Sequence, residues 1–415
     1  MVSITAPTTD PCLVLIQLAG GTGGTAPRGA GIPDKWSIYV FPNVGQAPFT
    51  ETGGTPSGTY QQNIATYAAA FGITPTMGNT WSDLNTGFTG YASQWAFAGG
   101  TLAPSTGIIP IQGIIMGTGN GSRTVANVAA GAHDADFQGY VDEWFNAGYR
   151  TVYYRIDWEF QIGTTRDGQQ FGATQQSWAV PWIAAWQRVV PVMRARAAQL
   201  PGMVVKFIWN PTQLSGANYR FQGATSLTYP GDTYVDTLGI DIYDQCFPQD
   251  FTTWPGYSSL TAAQAAATGG SFGPSAGTQA NWNNGGAPGV SAADNMYHFL
   301  DFPGAKANIP DARGASILNP AFGVGNEFGW GVMDHIKFCQ IHNKPLCVPE
   351  MGYFFNGHQQ TPDVALAGYL KSRFAYAQSV GVDVLFASWF VADPNNVLGV
   401  TPAAVPSVKA AFGGT

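Results

Sequence analysis

Charge is what this 415-residue chain has least of: Asp, Glu, Lys and Arg make up only 10% of it, against roughly 25% in an average domain. A net charge of −7 with no basic block excludes nucleic acid as a partner. No apolar run approaches the roughly 18 residues that cross a bilayer, so no membrane span is expected. The opening MVSITAPTTDP lacks a basic stretch followed by an apolar one and does not read as a signal peptide. Four cysteines (Cys12, Cys246, Cys339, Cys347) show no metal spacing; Cys339 and Cys347 read as core residues, with pairing left open. The five histidines form no HExxH or paired-ligand pattern, and no GxGxxG or GxxxxGK[ST] loop follows a strand. No metal and no cofactor are therefore expected.

What is there is 45% hydrophobic residues, 53 Gly, 28 Pro and 13 Trp. A surface of Gly, Ser, Thr, Asn, Gln and aromatics suits neutral, hydroxyl-rich ligands. Residues 1–55 are rich in Gly, Pro and Thr, with apolar runs at 13–18 and 36–41; they read as an N-terminal extension in which either one run is the opening barrel strand or both belong to an appended β element. From 56 to 415, strand and helix alternate. Strands are expected at 72–77, 108–116, 152–156, 203–209, 235–242, 345–349 and 383–390. Helices are expected at 61–71, 134–148, 182–199, 331–341 and 364–380. The 134–148 segment is the clearest helix, with Phe137, Tyr140, Val141, Trp144 and Phe145 on one stripe. Pro191 should kink or shorten the helix that carries it. The 245–325 passage is too long for an ordinary loop; it reads as an insertion before the seventh strand, with a helix near 292–300. About eight strands in such alternation predict a (β/α)8 barrel.

Only five glutamates occur: Glu51, Glu143, Glu159, Glu327 and Glu350. Of these, only Glu159 and Glu350 end buried strands, in RIDWEF and PLCVPEMGY. Chemistry in parallel barrels sits at the C-terminal ends of the strands. Two carboxylates facing each other there are the equipment for glycoside hydrolysis: one protonates the leaving oxygen, and the other attacks the anomeric carbon. The acid must hold its proton near the operating pH. Flanking Trp158 and Phe160 would point away from Glu159 in a regular strand.

The order and spacing of these residues resemble a clan A retaining glycoside hydrolase, most closely family 26, whose best-known members are β-mannanases. The resemblance rests on Arg155 with Glu159, on Trp209-Asn210-Pro211, and on Lys344-Pro345 with Glu350-Met351-Gly352. Gly131-Ala132-His133-Asp134 and, most specifically, Tyr229-Pro230-Gly231-Asp232, Val235-Asp236 and Gly239-Ile240-Asp241-Ile242-Tyr243 complete it. It implies Glu159 as acid/base and Glu350 as nucleophile. It further implies Arg155 beside both carboxylates, Tyr243 bonding the nucleophile, and Trp389 as a sugar-stacking platform. Trp158, Asn210 and His133 are candidate substrate contacts. Trp81 and Trp330, with Trp254 and Trp282, are candidate outer platforms. The chain departs from the family at Trp158, where the family has His, and at the Phe160-Gln161-Ile162-Gly163 that follows. Those positions help form sugar subsites, so the expected substrate is a β-linked polysaccharide, mannan or another plant or bacterial β-glycan. The expected enzyme is an endo-acting, secreted or periplasmic monomer that degrades it; the alternative is an inactive, carbohydrate-binding barrel.

Overall fold

The computed structural model describes residues 30–40, 60–81, 104–118, 121–160, 175–212, 228–243, 331–352, 366–391 and 404–414. Within them run nine strand segments: β1 (Lys35–Val40), β2 (Pro75–Trp81), β3 (Ile109–Ile114), β4 (Thr151–Ile156), β5 (Val204–Trp209), β6 (Thr237–Gly239), β7 (Ile242–Tyr243), β8 (Leu346–Gly352) and β9 (Val384–Val391). Every pairing is parallel, in the order β6-β5-β4-β3-β2-β1-β9-β8-β7, and β6 also pairs with β8. Leu238 lies opposite Leu346 and Tyr243 opposite Gly352, so β6 and β7 are two halves of one stave. The sheet is a closed eight-stranded parallel barrel, as the alternation of elements predicts.

The helices are α1 (Tyr60–Phe71), α2 (Val125–Ala129), α3 (Asp134–Asn146), α4 (Gln175–Ala198), α5 (Val332–His342), α6 (Leu366–Ser379) and α7 (Val405–Phe412). The stripe on α3 buries Phe137, Tyr140, Val141 and Trp144, and Gly148 at φ +97° stops the chain just beyond the helix. Helix α4 runs unbroken through both Pro181 and Pro191, longer than expected. Its buried Trp182, Ala185, Trp186, Val189, Val190 and Met193 make up for the hydrogen bonds the prolines remove. Strand β2 begins three residues later than the reading of 72–77. Gly72 takes φ +68°, and Ile73 N bonds back to Ala68 O, which completes the turn after α1. Helices α2 and α7 were not anticipated. The first has five residues and depends on Thr124, whose side chain caps Asn127 N. The run at 13–18, the 245–325 passage and the 292–300 helix lie outside the described residues.

Side-chain alternation divides the core in two. Met77, Ile111, Ile208, Cys347 and Phe386 fill the barrel interior, and a larger cluster lies between the barrel and its helices. Cys339 and Cys347 are both buried free thiols. His335 on α5 is fully buried with its ring parallel to Trp209, and burial pushes its pKa down to about 3. The unfolded chain takes up a proton there near pH 6.5 and the folded chain does not. Stability from this group is therefore present above about pH 6.5 and drains away as pH falls toward 3. Urea unfolding at pH 7.5 and pH 4.5 is expected to show that the wild type loses about 2–3 kcal/mol more than a His335→Phe protein. Equal losses would show that the histidine is protonated in the fold.

Candidate active site

Arg155 is the hub of the C-terminal mouth. Fully buried on β4, it donates from Nε to Asn210 Oδ1 (2.6 Å), from Nη1 to Glu350 Oε1 (2.7 Å) and from Nη2 to Asp241 Oδ2 (2.5 Å). The hydroxyl of Tyr243 donates to the other oxygen of Glu350 (2.9 Å). Glu159 joins the group: one oxygen each of Glu159, Asp241 and Glu350 lie within 4.8 Å of one another. Asp241 is sealed from solvent and Glu350 is 6% exposed, whereas Glu159 is only half-buried.

Two departures from regular strand geometry aim the glutamates. After β4, Asp157 and Glu159 take φ +46° and +54°, in the left-handed region that non-glycine residues rarely occupy. The turn is pinned on all sides. Asp157 N donates to Ile114 O and Glu159 N to Asn210 O, both at 2.8 Å. The Asp157 carboxylate accepts from Met116 N (2.8 Å) and from Trp182 Nε1 (3.0 Å). Such backbone costs about 1–3 kcal/mol per residue and persists only where the surroundings over-determine it. The turn sends Phe160 outward against Trp182 and Trp209 and keeps Trp158 at the mouth beside Trp81.

On β8 the register against β9 slips between Val348↔Ala387 and Met351↔Trp389, so three steps of one strand oppose two of the other. Cys347 points into the barrel, and strict alternation would turn Glu350 outward. The extra residue of this bulge turns it back toward Arg155.

Burial, and after it the neighbouring Glu350 and Glu159, push the Asp241 carboxyl well above the usual range, although Arg155 opposes them. Burial would draw protons off Arg155, but Asp241 and Glu350 outweigh it and keep the guanidinium charged. Burial, then Glu350 and its neighbours, hold the Tyr243 hydroxyl protonated, as its donation to Glu350 requires. Three carboxylates thus crowd the Arg155 guanidinium, and the crowding favours the protonated form of Asp241. The arrangement sets carboxyl groups of different exposure within a few ångströms of one another. Three clustered carboxylates also have the donor chemistry of a hard-cation site. Two of them, however, already bond a fixed guanidinium, which would repel the ion.

An aromatic wall stands over this cluster. Trp81, half-buried, lies 4.2 Å from Tyr39, 6.4 Å from Trp158 and 6.3 Å from Phe390 between ring centroids, and Phe390 lies 6.1 Å from Tyr243. The Arg155 guanidinium sits 5.9 Å from both indoles. Gly113 makes room for them: a Cβ there would come within 2.6 Å of Trp81 and 2.8 Å of Trp158.

The structure thus brings together Arg155, Trp158, Glu159, Asn210, Tyr243 and Glu350, with Trp81 at the rim. Asn210 is fully buried, its oxygen on Arg155 and its nitrogen on Pro211 O, so it braces the arginine and does not face the mouth. Trp389 is placed differently from expectation. It is fully buried in the helix-facing layer against Phe71 and Phe412, and Phe390, one residue on, faces the mouth. His133 bonds Asp136 (3.0 Å) at the start of α3 and is not part of the cluster. Trp330, Trp254 and Trp282 lie outside the described residues. Sequence reasoning did not single out Asp241 as a site residue. The alternation Gly239, Asp241, Tyr243 was the available signal, since it puts the second carboxylate on the same face as the tyrosine.

No family model and no curated protein matches the chain. Among solved structures, the catalytic domain of a Bacillus sp. JAMB-750 GH26 endo-β-1,4-mannanase overlays 92% of this chain and 86% of its own, at 12% identity and a TM-score of 0.49. A Cellulomonas fimi endo-β-1,4-mannanase double mutant overlays 85% of this chain at 12% identity and a TM-score of 0.46; the chain spans 66% of that protein's length. A Bacillus subtilis mannanase overlays 91% of this chain and 85% of its own, at 10% identity and a TM-score of 0.43.

Proposed function

We propose that the protein is a retaining glycoside hydrolase acting on a β-linked polysaccharide by double displacement. The observation that carries this reading is the approach of Glu159 and Glu350, with oxygens within 4.8 Å. That spacing suits a carboxylate attacking the sugar directly, whereas inverting enzymes leave roughly 6.5–9.5 Å for a water. The exposure of the two carboxylates divides the roles. Glu350, bonded by Arg155 and Tyr243 and nearly buried, is the nucleophile. Glu159, only half-buried, is the acid that protonates the leaving oxygen and later the base that activates water. Trp81 and Trp158 offer flat faces for a pyranose ring. A polymeric substrate does not cross a membrane, so this reading places the enzyme outside the cytoplasm; among the described residues no helix is long and apolar enough to cross one.

The test is reducing-end release from a panel of plant and bacterial β-glycans, with the first-formed anomer followed by proton NMR. Release with retained β configuration supports the proposal. An inverted first product would overturn the double displacement, and silence across the panel with binding intact would favour a carbohydrate-binding barrel. Glu159→Ala is expected to lower kcat/KM on the natural glycan by about 10²–10⁴-fold. On aryl glycosides with very good leaving groups, which need no protonation, it should stay within about tenfold. Equal losses on both substrates would remove Glu159 from the acid role.

A further inference from the structure

Beyond Arg155 and Tyr243, one further contact bears on Glu350, and it comes from the far side of the barrel. Asn79, on β2 and 2% exposed, donates from Nδ2 to Pro349 O (2.8 Å) and to Ser388 Oγ (2.8 Å). The carbonyl oxygen can only accept, so the amide nitrogen must face it. Asn79 Oδ1 is buried and accepts from no described residue, so both of the side chain's bonds are made by its nitrogen. Strands β1 and β9 lie between β2 and β8, so this bond crosses the interior of the barrel.

What it holds is the bulge. The register gives partners for Leu346, Cys347, Val348, Met351 and Gly352 on one flank or the other, and none for Pro349 or Glu350. The peptide that carries Glu350 is thus the part of β8 that the sheet ladder does not fix. Pro349 also has no N–H to give to a neighbouring strand. A buried carbonyl at such an irregularity needs a donor, and Asn79 gives it one.

We propose that Asn79 is a positioning residue for Glu350. It fixes the Pro349–Glu350 peptide across the barrel, so that the Glu350 carboxylate stands where Arg155 Nη1 and Tyr243 Oη reach it. The proposal rests on the reading of Glu350 as nucleophile for its kinetic consequence, but not for its structural one.

The experiment compares wild type, Asn79→Ala and Ser388→Ala, each by crystal structure and by kinetics on the glycan that the panel identifies. Ser388→Ala removes Asn79's second bond and leaves the one to Pro349. In Asn79→Ala the Glu350 carboxylate is expected to leave hydrogen-bond distance of Arg155 or Tyr243. Its kcat should fall about 100-fold with KM within threefold, since a displacement of about 1 Å costs that much. Ser388→Ala should stay within threefold on both constants. Should the alanine protein fail to fold, Asn79→Ser keeps a hydroxyl at the position but is too short to reach Pro349. A carboxylate still bonded to both partners in the Asn79 variant overturns the proposal, and so does a loss of kcat that Ser388→Ala matches. If wild type cleaves no glycan, the functional reading fails, and the crystal structures still decide whether Asn79 holds Glu350.

Discussion

A Glu350→Gln protein is expected to fold like the wild type and to lose turnover by at least about 10⁴-fold, the scale on which a removed nucleophile is felt. The replacement keeps an oxygen for Arg155 Nη1 and a polar group for Tyr243, so both hydrogen-bonding neighbours are still answered. It also removes one negative charge from beside Asp241, whose carboxyl is already pushed up by burial and by Glu350. Thermal stability should therefore hold or rise while activity disappears. The smaller Glu350→Ala protein adds a sharper readout. With azide supplied, an azide ion can enter the space of the missing carboxylate and give a glycosyl azide of inverted configuration. Full activity in the Gln protein, or rescue with retained configuration, would remove Glu350 from the nucleophile role.

The second large effect is on stability as much as on catalysis. Arg155→Leu takes a buried cation from Asp241 and Glu350, and breaking a buried pair from one side costs about 3–5 kcal/mol. Activity is expected to vanish with it, since Glu350 loses its main hydrogen-bond donor. The deficit should depend on pH in a definite direction. Without the guanidinium, the folded-state pKa of Asp241 rises further above its unfolded value. The protonated form then favours folding, so the variant gains stability relative to wild type as pH falls. Urea titrations at pH 7.5 and pH 5 would show the gap between the two proteins narrowing at the lower value. A gap that does not narrow would mean that the cost is lost packing and not unpaired charge.

The parts of this site that sequence could reveal are the residues at strand ends, and not the backbone irregularities that aim them. Glu159 and Glu350 stood out because a chain so poor in glutamate places two at the ends of apolar strands. Arg155 was expected beside them from the family resemblance, which has an Arg four residues before the acid/base. The failures lie where the alternation of faces is interrupted. Trp389 and Phe390 both look like a terminal aromatic, and which of them faces the mouth is a matter of register. The slip in β8 is carried by contacts with β9 and by an asparagine some 270 positions away, and no local pattern announces either. Asn79 itself reads as an ordinary polar residue in PTMGNTW. Gly113 reads as a weak spot in a strand, and only the approach of two indoles explains it. Long-range packing, and not propensity, decides those positions.

The left-handed backbone at Asp157 and Glu159 has a consequence for anyone seeking a hardier version of this protein. Glycine adopts that conformation without penalty, so a substitution to glycine at Glu159 relieves strain that the native residue carries, whereas at Asp157 it would strand the buried donors Met116 N and Trp182 Nε1. A selection that rewards heat resistance alone would be drawn to the turn that presents Glu159. Its winners would be sturdier and catalytically silent, because the chemistry and the strain of the scaffold meet at Glu159.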